Sequence, residues 1–107
     1  MEITIEKRDA GTLVRVGGRM DAVAAPDFEK ECAGVVESGE KLVVVDLAQL
    51  EYISSAGLRS ILATAKKIKA TGGAMKFSGL AGMVEEVFQV SGLGTLFEVA
   101  ATPDEAF

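Results

Sequence analysis

The sequence contains no histidine and no tryptophan among its 107 residues, and it has a single cysteine, Cys32. Without histidine a His-based catalytic triad is impossible and the commonest metal ligand is missing, so we expect no metal site. One cysteine allows no internal disulfide, which favours a reducing, cytoplasmic setting. Cys32 is in phase with Phe28 and Val35 on a helical pattern, which indicates a small core residue rather than a reactive thiol.

Long apolar runs are also missing. No stretch approaches the roughly 20 apolar residues that a membrane span requires, so we expect no membrane insertion. The first ten residues, MEITIEKRDA, do not resemble a signal peptide. A net charge of -5 argues against a nucleic-acid backbone as partner. A hydrophobic content of 49% is typical of a packed globular chain, and we expect one domain over residues 1–107, with a monomer as the default state.

Hydrophobic periodicity and turn signals predict the order of the elements. The run Leu42 to Val45 is rich in β-branched residues and is typical of a strand buried on both faces of a parallel sheet. We predict strands over 2–8, 12–16, 42–46, 75–77 and 96–99. Gly17 and Gly18 are expected to end the second strand. We predict helices over 24–37, 56–70 and 83–90, and a short last helix that begins near Thr102. This order predicts an α/β fold with a mainly parallel mixed sheet, an antiparallel N-terminal strand and about four helices.

In such a sheet the links from strands to helices lie at one edge, where open parallel sheets tend to bind their ligands. We therefore expect Asp21, Ser55 and the loop 79–82 to be neighbours. Three apolar residues near this edge could serve as exposed docking contacts, and the last of them could equally belong to the core: Met20, Leu80 and Met83.

Ser54 and Ser55 stand just before the helical pattern of the second helix. The first turn of a helix has unpaired N–H groups and a partial positive charge, so it accepts either a capping oxygen or a phosphate. One of the two serines can be simply the N-cap residue. A cap needs only one hydroxyl, so the presence of two serines slightly weakens an interpretation in which both serve only the helix start. Gly57 can mark the close approach of another backbone segment.

The segments LVVVDL and YISSAGLRSIL resemble the signature of the STAS domain family, which is named for sulphate transporters and anti-sigma factor antagonists. The order of elements also fits, so the resemblance covers nearly the whole chain. The usual site of that family is Asp-Ser-Ser-Gly or Asp-Ser-Thr-Gly, and the first hydroxyl after the Asp is phosphorylated. Alignment on Gly57 places Ser55, in preference to Ser54, at the phosphorylated position. Ser54 then stands where the family has Asp, and Ala56 where it has the second hydroxyl.

The segment GGRMD resembles the family's Gly-x-Leu-Asp stretch, which places Asp21 near the phosphorylated serine. Arg59, four residues after Ser55, could contact a phosphate or an acidic partner group, or could be a solvated arginine. Lys66, Lys67 and Lys69 are predicted to form the solvent face of the second helix. The resemblance implies a partner-binding set: Asp21, Ser54, Ser55, Gly57, Leu58 and Arg59.

The resemblance implies a bacterial signalling protein rather than an enzyme, an anti-sigma factor antagonist that regulates transcription. Unmodified, it would bind an anti-sigma factor that is also a serine kinase. Phosphorylation would switch that binding off, and a phosphatase would reset it.

Two alternatives stay open. One is a constitutive STAS interaction module without a phospho-switch, such as a scaffold or the partner subunit of a lipid-transporter ATPase, in which Ser55 would be only an N-cap. The other is an enzyme or nucleotide binder. For that class the sequence offers neither a G-x-x-x-x-G-K-[ST] loop nor a G-x-G-x-x-G after a strand, so we expect no cofactor and no catalysis.

Overall fold

Alternating strands and helices build a single five-stranded mixed sheet in the computed structural model, which describes residues 1–107. The strands are β1 (Glu2–Arg8), β2 (Gly11–Met20), β3 (Leu42–Ile53), β4 (Ala74–Ser78) and β5 (Val99–Ala100). The helices are α1 (Ala25–Glu37), α2 (Ser55–Ala70), α3 (Gly82–Ser91), α4 (Leu93–Leu96) and α5 (Pro103–Ala106). The order across the sheet is β1-β2-β3-β4-β5; β1 pairs with β2 antiparallel and all other pairs are parallel. This confirms the predicted fold class, with five helices instead of about four.

The main core lies between one face of the sheet and helices α1, α2 and α3. Val43 and Val45 of β3 are fully buried there with Phe28 and Phe88 from the helices. Val44 points to the opposite face, where the short helix α5 covers it. The central strand is therefore buried on both faces, as its apolar run predicts.

Two strands are longer than predicted. We expected the second strand to end at Gly17-Gly18 and the third at Asp46, and both boundaries are wrong. β2 continues to Met20 and β3 to Ile53, and these two residues are paired with each other. The pairing tolerates the glycines because β3 has register shifts beside them, and Gly18 takes up a positive φ of 86°.

The additional residues pair 17–20 of β2 with 49–53 of β3, and we call this extension the ribbon; β1 pairs with it only at Gly17. It projects beyond β4, which pairs with β3 only as far as Asp46. Asp46 does not end its strand. Its carboxylate is buried, and Oδ1 accepts hydrogen bonds from the Ser78 hydroxyl (3.1 Å) and the Ala48 N–H (3.3 Å).

The predicted strand over 96–99 is also wrong, except at Val99. Leu93–Leu96 forms α4, because Leu93 is drawn into the core and the ring of Phe97 packs edge-on against Phe77 at 5.1 Å. Strand pairing begins only at Val99, opposite Phe77. The last predicted helix is present as α5, and the Thr102 hydroxyl accepts from the Glu105 N–H at its start. None of the five helices has the length and apolar character that a membrane crossing would require.

Cys32 is buried in the main core, as its helical phase predicts. Burial, aided by the charge of Glu31, raises the pKa of the Cys32 thiol from 9.0 to about 12.

At pH 8 we therefore expect iodoacetamide to leave Cys32 unmodified in the folded protein and to alkylate it in concentrated urea, as measured by mass spectrometry. The free energy of unfolding should fall as the pH rises from 9 towards 12, because the unfolded thiol ionises first. Rapid alkylation of the native protein would contradict this placement.

Candidate functional site

The candidate site forms where the ribbon ends and α2 begins. The Ser54 N–H donates to the Met20 carbonyl (2.9 Å), which extends the pairing of β2 with β3 by one residue. Ser54 still has an extended backbone (φ -90°, ψ 172°), and the next residue is the first of α2. Asp21 follows Met20 directly along the chain. The ribbon thus brings Asp21 and the two serines to the same end of the molecule.

The two serines have different roles. Ser54 is the N-cap of α2, and its Oγ accepts a hydrogen bond from the Gly57 N–H at 3.1 Å. Ser55 occupies the first helical position, is exposed to solvent, and its hydroxyl makes no hydrogen bond within the protein. The interpretation of Ser55 as an N-cap is therefore wrong. The Ser54 hydroxyl caps the helix, and the Ser55 hydroxyl is exposed and unpaired.

The N-cap position of Ser54 also shows the effect of having serine where the STAS motif has Asp. Ser54 stands at the position that the motif gives to Asp, and that position is the N-cap. Serine and aspartate are both among the preferred N-cap residues. The exchange keeps the cap and removes one negative charge beside Ser55.

Gly57 is buried against the ribbon. A Cβ at this position would lie 3.0 Å from the Met20 carbonyl oxygen and 2.8 Å from Cγ1 of Ile53. The predicted close approach of another backbone segment is confirmed, and that segment is β2. Gly57 contributes to the site by letting the first turn of α2 sit against the ribbon.

Asp21 holds the loop that leads into α1. Its Oδ1 accepts hydrogen bonds from the N–H groups of Val23 (3.1 Å) and Ala24 (2.9 Å), and it makes none with Ser55. The side chain of Val23 is 86% exposed in this loop. Val23 was not among the predicted site residues, although its position between two predicted elements favoured exposure. The expectation that Met20 would be an exposed docking contact is wrong, because Met20 is fully buried, next to Gly57 of α2.

The first turns of α2 present Leu58 and Arg59. Arg59 is exposed and forms no ion pair within the protein. Leu58 is half-buried and shares a shallow pocket of about 340 Å³ with Val87 and Val90 of α3. Val90 is 90% exposed. Its position in the last turn of α3 did not allow its place beside Leu58 to be predicted from the sequence.

The loop 79–82 was expected beside Ser55, and this is not confirmed for Gly79. Gly79 lies against Asp46 and Ala48, near the middle of β3. Ile53, which precedes the serines, is five residues further along β3 than Ala48. Of the other apolar contacts proposed for this edge, Leu80 is half-buried and Met83 is exposed.

The fold and this helix start define the class of the protein. The family model of the STAS domain matches residues 2–106, and the chain belongs to that family. It is 38% identical to BtrV of Bordetella bronchiseptica, named as an anti-sigma factor antagonist, over 99% of this chain and 91% of that protein. It is 24% identical to the anti-sigma-B factor antagonist of Bacillus subtilis, over 94% of this chain and 92% of the relative. The crystal structure of an anti-sigma factor antagonist from Mycobacterium paratuberculosis superposes with a TM-score of 0.88 at 28% identity, covering 98% of this chain and 89% of that one.

The separate roles of the serines predict separate effects on stability. Ser54→Ala should lower the free energy of unfolding by about 1 kcal/mol, because it removes the cap. Ser55→Ala should change it by less than about 0.5 kcal/mol, because the exposed hydroxyl is unpaired. Urea denaturation followed by circular dichroism measures both. Equal losses in the two variants would contradict the assignment of the cap.

Substitution of two glycines tests whether the close contact between α2 and the ribbon constrains the fold. Gly57→Ala should destabilise the protein by about 1–3 kcal/mol, because the new methyl group meets the Met20 carbonyl. Gly34→Ala in α1 should instead stabilise it by about 0.5–1 kcal/mol, because no atom lies within 4 Å of a Cβ there. The same urea titration compares them. A neutral Gly57→Ala would mean that the close contact imposes no constraint.

Proposed function

We propose that this protein is a cytoplasmic anti-sigma factor antagonist that is controlled by phosphorylation of Ser55. It binds an anti-sigma factor through the end of the ribbon and the first turns of α2, with Asp21, Leu58 and Arg59 among the contacts. The observation that carries the proposal is the free, exposed hydroxyl of Ser55 beside a capping Ser54. The names of the relatives support the class of partner.

The position of Ser55 suits a phosphate. The first-turn N–H groups of a helix lack partners within the helix, and the helix dipole favours negative charge there. Arg59 lies one turn further along α2, where residues four apart are neighbours, and its guanidinium is free of other ion pairs. A phosphate on Ser55 can therefore be accommodated without disturbing the fold.

The same phosphate opposes docking. It adds about −1.5 to −2 charges at the start of α2. Leu58, in the first turn of α2, and Val90 beside it offer apolar contact area near Ser55, so a partner that covers them must also desolvate the phosphate. A loss of about 3 kcal/mol in binding free energy would weaken the complex more than a hundredfold, which is enough for a switch.

The protein supplies no group that would phosphorylate its own serine. It has no histidine to act as a general base, and no hydrogen bond connects Asp21 to Ser55. The catalytic groups must then come from the partner. This favours an anti-sigma factor that is itself a serine kinase, with a separate phosphatase to restore the unmodified form.

The alternative is a constitutive STAS module, a scaffold or the partner of a lipid-transporter ATPase. It was motivated by Ser54 in place of Asp. Ser54 retains the cap of α2 but lacks the carboxylate that the family's Asp would place beside Ser55. The identity of the partner and the state of Ser55 in the cell separate the two functions.

We expect mass spectrometry of the protein isolated from its native cells to find phosphate on Ser55, and the unmodified form to retain a kinase-like partner. With that partner, Ser55→Asp should weaken binding at least tenfold, because a charge enters the interface, and Ser55→Ala should bind as the unmodified protein does. Gln49→Glu adds a charge on β3 away from α2 and is the matched control. Absence of phosphate under every growth condition, with a transporter ATPase or scaffold protein bound instead, would support the constitutive module. Unchanged binding by Ser55→Asp would refute the electrostatic switch.

A further inference from the structure

A second concave surface lies at the other end of α2. We define the α2–α4 groove as the cleft between the C-terminal half of α2 and the segment 96–97, floored by the start of β4. Its volume is about 470 Å³, and six of the nine residues that line it are hydrophobic. Its lining residues on α2 run from Leu62 to Lys69, seven to fourteen residues after Ser55, which places the groove about 10–21 Å further along the helix axis. The groove is therefore separate from the Ser55 region.

The walls of the groove expose aliphatic side chains. Leu62 of α2 is 42% exposed and Leu96 of α4 is 67% exposed, and they face the same cleft. Met75 and Phe97 form the inner surface, where they continue into the main core. Apolar side chains that remain exposed around one cavity mark a binding site more often than scattered single residues do.

Two lysine side chains lie at the rim of the α2–α4 groove. Lys66 and Lys69 both line the groove, and their ammonium groups make no ion pair or hydrogen bond within the protein. They are three residues apart and so lie on the same face of α2. Lys67, between them in sequence, does not line the groove. In a chain of net charge -5, this pair gives the groove a local positive charge that favours an anionic ligand.

The size of the groove indicates a small molecule rather than a protein surface. Pockets for small ligands have volumes of about 300–1,000 Å³, and this one falls within that range. A stable protein interface engages about 20–30 residues on each side, more than twice the nine residues here.

We propose that the α2–α4 groove binds an aliphatic carboxylate. Its hydrocarbon chain packs between Leu62 and Leu96 over Met75, and its carboxylate lies between the ammonium groups of Lys66 and Lys69. This site is independent of Ser55 and of the function proposed above.

The test is a titration of isotope-labelled protein with sodium decanoate, kept below the concentration at which micelles form, and followed by backbone amide NMR. Saturable shifts should appear at Leu62, Ala65, Met75 and Phe97, with none at Ser55. Decyltrimethylammonium has the same chain length with the opposite charge and should bind at least tenfold more weakly.

Five variants test which groups of the groove contact the ligand. Lys66→Gln and Lys69→Gln should each weaken decanoate binding about threefold, and together about tenfold. Lys67→Gln is the matched control and should bind like the wild-type protein. Leu96→Asp puts a like charge into the groove at an exposed position that tolerates a polar residue, and it should abolish binding.

Several outcomes would overturn the proposal. The groove would not be a carboxylate site if decanoate failed to saturate, if the shifts centred on the Ser55 end of α2, or if Lys67→Gln weakened binding as much as Lys66→Gln. Sedimentation velocity, which measures the oligomeric state, tests one further alternative. A wild-type dimer that Leu96→Asp dissociates would make the groove an interface between two copies of the chain.

Discussion

The pairing of β2 with β3 beyond the end of β4 is the constraint on which the candidate site depends. Parallel strands in this sheet could have stopped at Asp46, where β4 ends, but the backbone hydrogen bonds continue to Met20 and Ser54. The ribbon carries Asp21 and the start of α2 out to one end of the molecule. Because Gly57 has no side chain, the first turn of α2 can rest directly on the Met20 carbonyl. The position of Ser55 follows from these two contacts.

At this position the hydroxyls of Ser54 and Ser55 have different environments. A helix start needs one side-chain acceptor for its unpaired N–H groups, and Ser54 supplies it. The neighbouring hydroxyl is then exposed, unbonded and next to the positive end of the helix dipole. A capped helix start and an exposed, unpaired hydroxyl therefore occupy adjacent positions.

The long helix α2 connects the two surfaces of interest. Its N-terminus presents Ser55, and its C-terminal half lines the groove with Lys66 and Lys69. Between them, the hydroxyl of Ser60 donates to the Ala25 carbonyl of α1, and Ile61 and Ile68 are buried in the core. The helix is thus held along its length by packing and leaves only its two ends and its outer face for partners.

Local patterns in the sequence determined much of this protein. The β-branched run after Lys41, the apolar phases of three helices and the Gly-rich stops predicted the α/β fold and most element boundaries to within a few residues. The motif around Gly57 led to Ser55 and to the STAS family. These features depend on neighbouring residues, so the sequence alone reveals them.

Tertiary structure decided the remainder, because it depends on pairing between distant segments. Gly17 and Gly18 locally favour a strand end, yet β3 offers them a partner and the strand continues. Leu93 to Leu96 could have formed a strand, yet burial of Leu93 against the core favours a helical turn. Which serine caps α2, why Met20 is buried while Val23 is exposed, and how Leu62 meets Leu96 across a groove all depend on packing between segments far apart in the chain.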